Sequence, residues 1–307
     1  MRDFEKKVID FINTINTNYE YDDKGFLYFK DRNVAISLNE KYESSNLHKS
    51  KDYFTKLHDE YEKKGIRLIQ IFDWRVEHED SFKKIKMLLI TAIGNPKKIY
   101  ARQCDIREIT NEEARPLNEE FHTMGHRNAK VTYGLFYKGQ LVEIMSFGKN
   151  KWNRNILSDN SWEILRGCLS SINTFMLDTD PNELYFVAGG PTRLLTHFIR
   201  DYKPDMIISY CECDLFSGSS YKAAGMQYAG NTGATKYWIL DEDDPETGKH
   251  GYVIPRNPSK YKEYKERSKG VVVWTCGSSR WVWVKPGYEY KGKGKEFLVE
   301  ETKNEDL

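Results

Sequence analysis

The sequence predicts a mixed α/β fold in two units followed by a basic, aromatic tail, and three observations lead there. Amphipathic helical stripes and short apolar strands alternate along the 307 residues. A composition break falls at Asn95-Pro96. Beyond it, an apolar strand runs through Gly189-Gly190 into a helix, a strand-turn-helix junction of α/β type. The expected units are 1–97, 98–245 and 246–307.

In the first unit, Phe4, Val8, Phe11, Ile12 and Ile15 form a helical stripe over 2–16. GFLYF (25–29) and NVAISLN (33–39) read as strands joined by the polar turn Lys30-Asp31-Arg32. Phe54, Leu57 and Tyr61 mark a second helix, Gly65 stops it, and IRLIQIF (66–72) follows as a buried strand. Asp80-Ser81 is placed to cap a helix running to Ile93.

In the second unit, KIYARQCDIREIT (98–110) reads as one strand and EEARPLNEEFHTMGH as a helix ending near Gly125. VTYGLFYKGQLVEIMSFGK is a hairpin turning at Lys138-Gly139. SWEILRGCL, ELYFVA, MIISYCECD and KYWIL are strands, RLLTHFIRDY a helix and SSYKAAGMQYAG a short helix. In the tail, VVVWT and RWVWV flank Cys276-Gly277-Ser278-Ser279 and predict a hairpin, while LVEETKNEDL (298–307) reads as a frayed end.

Composition narrows the function. Mean hydropathy is −0.71 and no apolar run approaches the roughly 18 residues a spanning helix needs, which argues against a membrane partner. The N-terminal MRDFEKKVID has no signal-type apolar region, and five cysteines lack any CxxC spacing, so a reduced, cytoplasmic location is expected. Net charge is only +1, yet 11 Lys and Arg face three acids between Arg256 and Lys295, a local excess of +8 just after the acidic run 241–246. Lys269, Trp274, Arg280, Trp281 and Lys285 are therefore candidates for phosphate neutralisation and base stacking.

Several residue types point to chemistry. The Gly189-Gly190 turn, with Thr192 in the first helical turn, suits an anion at a helix N-terminus. Ser209, Glu212 and Gly218 lead into the segment bearing Tyr221; His122 closes a helix; Glu163 and Arg166 lie three apart, on opposite faces if WEILR is a regular strand. Cys211 and Cys213 alternate with Glu212 and lack two further soft ligands for a metal.

Strand, glycine turn, helix, strand and a short helix led by Tyr follow the order of the GCN5-related acyltransferases, or GNAT proteins. IYARQCDIREI, FHTMG, GLFYKGQLVEIMSFGK, WEILR, VAGGPTRLLTHFI, IISYCECD, SGSSYKAAGM and GVVVWTCGSSRWVW together resemble the C-terminal portion of phage homing endonuclease-like proteins of the Hef type. This portion, roughly 99–285, is also similar to the Mom proteins, which modify adenines in phage DNA. FEKKVIDFI, NVAISLNEKYESS, SKDYF and KKGIRLIQIFDW resemble the Vsr-like, restriction-endonuclease-like domain that precedes it.

The resemblance implies a metal-dependent nuclease in front, but Leu27, Ser37 and Phe54 stand where that family has its two acids and its His. No metal is expected in the N-terminal unit, and His58 and Asp59 lie a turn beyond the lost His position. In the second unit the resemblance carries over to His122, Arg166, Ser209, Tyr210, Gly218 and Tyr221, with Glu212 replacing an Asp. It implies a GNAT-like or Mom-like transferase acting on DNA bases in an infected host cell, with catalytic Glu212, Tyr221, His122 and Arg166. The donor, an acyl carrier such as acetyl-CoA, would be held by Gly189, Gly190, Thr192, Ser209 and Gly218. Val187-Ala188-Gly189-Gly190 departs from the usual pyrophosphate loop. The alternatives are a DNA-binding protein without transferase activity and an active homing endonuclease using other ligands.

Overall fold

A computed structural model describes residues 1–149, 158, 160–167, 185–243, 250–253 and 260–298. Residues 244–246 of the acidic run, the end of SWEILRGCL and residues 299–307 lie outside the described residues. The fold is mixed α/β, and no described helix is long and apolar enough to cross a membrane.

The chain begins with α1 (Asp3–Ile15), β1 (Glu20–Tyr21), β2 (Leu27–Phe29), β3 (Val34–Asn39), α2 (Tyr53–Lys63), β4 (Arg67–Phe72) and α3 (Glu79–Ile93). Strand order is β1-β2-β3-β4, antiparallel up to β3, with β4 joined in parallel through the crossover α2. The alternation of a strand sorts the core. Val34, Ile36, Ile69 and Ile71 face α1 and α3, while Ala35, Leu68 and Phe72 face α2. α3 starts one residue ahead of the expected cap. Asp80 sits in its first turn, and the N-cap His78 makes no side-chain capping bond.

The next elements are β5 (Lys97–Tyr100), β6 (Asp105–Glu108), α4 (Asn111–Phe121), β7 (Val131–Tyr137), β8 (Gln140–Lys149), β9 (Ser161–Gly167), β10 (Tyr185–Ala188), α5 (Gly190–Tyr202), β11 (Met206–Glu212), α6 (Ser219–Ala223) and β12 (Gln227–Asn231). The single strand expected over 98–110 is thus two, separated by a 3-10 turn at Ala101–Gln103. One strand, β5, pairs in parallel with β10, and the other, β6, joins β7. α4 has a reciprocal cap, with Thr110 Oγ1 accepting from the Glu113 amide at 3.2 Å and Glu113 accepting from the Thr110 amide at 2.8 Å. The β7–β8 hairpin turns at Lys138 and Gly139, both with positive φ. The helix expected over 219–230 stops at Ala223, and its second half becomes β12.

The last elements are β13 (Thr235–Asp243), β14 (His250–Val253), α7 (Tyr261–Arg267), β15 (Val272–Thr275) and β16 (Ser278–Val284). Here the structure corrects the sequence. β15 and β16 form no hairpin with each other: β15 pairs with β13 in a sheet of order β14-β13-β15, and β16 lies between β11 and β12. The chain parts at Gly277, whose positive φ and contact with the Gly233 carbonyl leave no room for a Cβ. Residues 246–307 therefore supply an interior strand of the large sheet, not a separate extension.

That large sheet has the order β12-β16-β11-β9-β8-β7-β6. Its core is built on Phe147, Trp162, Phe198 and Leu194, with the Phe147 and Phe198 rings stacked at 3.7 Å. The small sheet lays Tyr237, Ile239 and Val273 against Phe54, Leu68 and Trp74 of the first unit. The Gln70 amide also donates to the Asp214 carbonyl at 2.7 Å, and Arg67 Nη2 to Leu215 O at 2.7 Å. The units share packed cores.

Candidate active site

β9 and β11 run parallel but pair only at their starts, from Met206 opposite Ser161 to Ile208 opposite Glu163. Beyond that, β11 continues along β16 as far as Glu212, whereas β9 continues along β8. The strands thus separate toward their C-terminal ends, and a cavity of about 390 Å³ opens there. A cleft at the carboxyl ends of parallel strands is where α/β sheets bind ligands. His122, Glu163, Arg166, Ser209, Glu212 and Tyr221 all line it.

A bulge brings Glu163 into the site. Ser146 opposes Arg166 and Phe147 opposes Ile164, so Leu165 is an extra residue in β9. The inserted residue shifts the alternation by one, and Glu163 and Arg166 both reach the cavity rather than opposite faces. Burial raises the Glu163 pKa above the ordinary carboxylate value, and the charges of Arg127 and Arg166 partly offset that shift.

Arg166 is buried and works on backbone. Its Nε donates to Gly125 O at 2.6 Å and its Nη1 to Leu165 O at 2.7 Å, which fixes the bulge to the loop after α4. On that loop, His122 Nδ1 accepts the Met124 amide at 3.0 Å, so the proton of the neutral ring sits on Nε2. Burial, with Arg166 and Lys84 nearby, pushes the His122 pKa down to about 3. His122 is thus a neutral N–H donor. The expectation that it accepts a substrate proton is corrected, because its acceptor nitrogen is already engaged.

Tyr221 lies on α6, buried, and its phenol oxygen accepts from Ser209 Oγ at 2.8 Å. With the Ser209 proton committed to the phenol oxygen, the Tyr221 O–H remains a donor. Glu212 is held differently. Arg75, from the segment after β4, forms an ion pair with it, and Tyr237 Oη donates to the same oxygen at 3.1 Å. Arg75 also approaches Asp214 Oδ2 at 3.8 Å. An anchored carboxylate of this kind positions its neighbours, whereas Glu163 reaches the same cavity with its pKa raised by burial. Burial pushes the Cys211 and Cys213 thiols up to about 12, which removes both as nucleophiles.

The expected donor loop lies elsewhere. Gly189, Gly190 and Thr192 do not line the cavity. β10 separates β9 from α5, and the fully buried Glu143 carboxyl lies against the Gly190 Cα, where a Cβ would overlap it. Thr192 Oγ1 donates to Ala223 O at 3.3 Å, joining α5 to α6. Gly218, with positive φ at the start of α6, abuts the Trp281 indole. The residues present therefore give no pyrophosphate seat on α5.

The residues expected to bind nucleic acid also separate. Trp281 is only 7% exposed, donates Nε1 to Ser279 Oγ and packs on Tyr221, so it is a core residue and no stacking platform. Arg280 Nη1 donates to Ala229 O at 3.0 Å. Lys285 is exposed 4.0 Å from Asp205, Lys269 is exposed in the turn after α7, and Trp274 is half-buried on β15.

In the first unit, Leu27, Ser37 and Phe54 are buried in closed cores, and Ser37 Oγ accepts from Asn39 Nδ2 at 3.0 Å. Among the described residues, His58, Asp59 and Glu62 on α2 bring ligand atoms within 4.8 Å of one another, a grouping one turn beyond Phe54 on the same helix. Regular strand alternation would put Glu163 and Arg166 on opposite faces, and nothing local in the sequence points to Arg75, which is 137 positions from its partner in the chain. No known family model matches the chain, and no curated protein matches it significantly.

Proposed function

We propose that this protein is a GNAT-like or Mom-like transferase that moves an acyl or related group from a small donor to an amine of a DNA base. The carrying observation is the cavity between the diverging ends of β9 and β11, which gathers a carboxylate, a neutral His, a buried phenol and an Arg-braced bulge. Strand, glycine turn, helix, strand and short Tyr-bearing helix occur in the order the acyltransferase resemblance requires.

A thioester donor would supply an activated carbonyl carbon. Glu163 takes the proton from the base amine as nitrogen bonds to that carbon, and its raised pKa makes it a stronger base than an exposed carboxylate. The His122 Nε2–H is a donor for the developing oxyanion. As the carbon–sulfur bond breaks, the Tyr221 hydroxyl gives its proton to the departing thiolate, and Ser209 stabilises the phenolate left behind. The cavity residues suit the reactive end of such a donor. Lys84 and Arg127 at the same cavity favour an anionic one.

The first unit completes this site and cuts no DNA in this reading. Its α3 contributes Lys84, Met87 and Leu88 to the wall, and Arg75 holds Glu212. A base has to leave the duplex stack to enter the cavity. Incubating the protein with DNA and a panel of acyl thioesters, acetyl-CoA included, then digesting to nucleosides for mass spectrometry tests the proposal. A donor-dependent mass gain on an amino-bearing nucleoside is expected; unchanged nucleosides with every donor, while DNA binding persists, would overturn it.

A further inference from the structure

We infer that the Lys236–Trp274 end of the β13–β15 ladder's outer face, beside the part buried under Tyr264 of α7, is a binding surface for single-stranded nucleic acid. In the ladder, Lys236 pairs with Trp274 and Thr235 with Thr275. Thr235, Tyr237 and Thr275 face the cavity, so Lys236 and Trp274 stand on the other face of the same two strands. The two faces of one ladder thus serve the cavity and the patch.

The patch is built from both units. Lys236 Nζ lies 5.5 Å from the Trp274 ring centroid and Lys51 Nζ 4.8 Å from it. Lys51 lies in the loop before α2, where Lys49 Nζ sits 4.3 Å over the ring of Tyr53, the first residue of that helix. That loop is pinned to the small sheet by the Ser45–Val273 bridge and by Asn46, whose amide donates to Val272 O at 2.8 Å. On α7, Lys265 is close enough to Lys236 that their charges oppose each other. None of Lys49, Lys51, Lys236 and Lys265 has a carboxylate within ion-pair distance among the described residues.

Lys51, Lys236 and Lys265 bring like charges together around the indole, and a polyanion relieves their repulsion. The half-buried indole at the centre adds a π surface for an unstacked base, a combination that fits a single strand better than a closed duplex. Trp274 and Lys265 fall within the basic run expected from sequence, whereas Lys51 and Lys236 come from outside it. The inference shares with the proposed function the class of partner, and it is tested without any donor.

The test is fluorescence anisotropy of the full chain with a labelled DNA strand of about 16 nucleotides, across a salt series, alongside the matching duplex and phosphatidylserine vesicles. Expected is tighter binding to the single strand than to the duplex, weakened about tenfold or more in Trp274→Ala. Lys51→Gln and Lys265→Gln, at exposed positions where folding is safe, should each lower the log–log salt slope by about 0.7. Unchanged affinity and slope in both lysine variants would overturn the inference, as would equal loss of vesicle binding, which would mark a membrane-surface patch. Binding without base modification would leave this site standing and remove the transferase reading.

Discussion

Glu143 offers a sharp test of the packing behind the site. It lies on β8 fully buried, neither carboxyl oxygen has a hydrogen-bond partner among the described residues, and burial raises its pKa well above the usual value. The folded protein therefore holds this group as a neutral acid with its polar atoms unsatisfied, a state that costs about 1–3 kcal/mol. Glu143→Met keeps the unbranched shape and removes the polar atoms, so it should stabilise the fold by a similar amount at pH 4.5 and by more at neutral pH. Glu143→Gln keeps the unsatisfied atoms but cannot ionise. The sign with pH follows from the raised folded pKa. Protonation favours the native state, so the wild-type contribution is complete below the unfolded value near 4.5 and is lost as pH rises, at up to about 1.4 kcal/mol per unit. Urea unfolding of wild type and both variants at several pH values between 4.5 and 8 reads these differences. Both variants should lose that pH-dependent decline and so exceed wild type at pH 8, whereas at pH 4.5 only Met should gain stability. A Met variant less stable than wild type would refute the reasoning, since it would mean that the acid is bonded after all.

Three further outcomes follow from the same geometry. Arg75→Ala strands the Glu212 carboxylate beside the fully buried Asp214, and should cost about 3–5 kcal/mol in chemical unfolding at neutral pH. Burial first, then the Glu212 charge, moves Asp214 up to about 6, so that cost should shrink between pH 7 and pH 5 as Asp214 protonates. His122, with its pKa pushed down to about 3, should stay neutral by histidine NMR from pH 8 to pH 5 while exposed histidines titrate. Because unfolding releases it to titrate near 6.5, its contribution to stability is complete above that pH and declines as pH falls toward 3. Gly218→Ala combines a positive φ with a clash on Trp281, and a drop of several degrees in melting temperature is the expected reading.

Much of the fold was legible because its periodicities are clean. The Phe4 to Ile15 stripe, the buried run at 67–72 and the Lys138-Gly139 turn each became the element their local chemistry implies. What failed was non-local. VVVWT and RWVWV have ideal hairpin composition, yet each finds a better partner in a different sheet, and tertiary pairing overrides propensity. At the site, His122, Arg166, Ser209, Glu212 and Tyr221 do meet, but their roles depended on partners the sequence places far away. The Leu165 bulge breaks the two-residue alternation that placed Glu163 and Arg166 on opposite faces. Glu143 filling the space beside Gly190 is likewise invisible in a Gly-Gly turn read locally.

The central claim is that Glu163, aimed into the splayed cavity by that bulge, is the base of a transfer reaction. Initial rates of donor-dependent nucleoside modification by wild type and Glu163→Gln, followed across pH, test it most directly. The wild-type rate should rise with pH through a carboxyl pKa above the ordinary range and then level off. The Gln variant should fold normally and be slower by about 10²–10⁴-fold, without that ascending limb. A Gln variant with wild-type rates and the same pH profile would contradict the account.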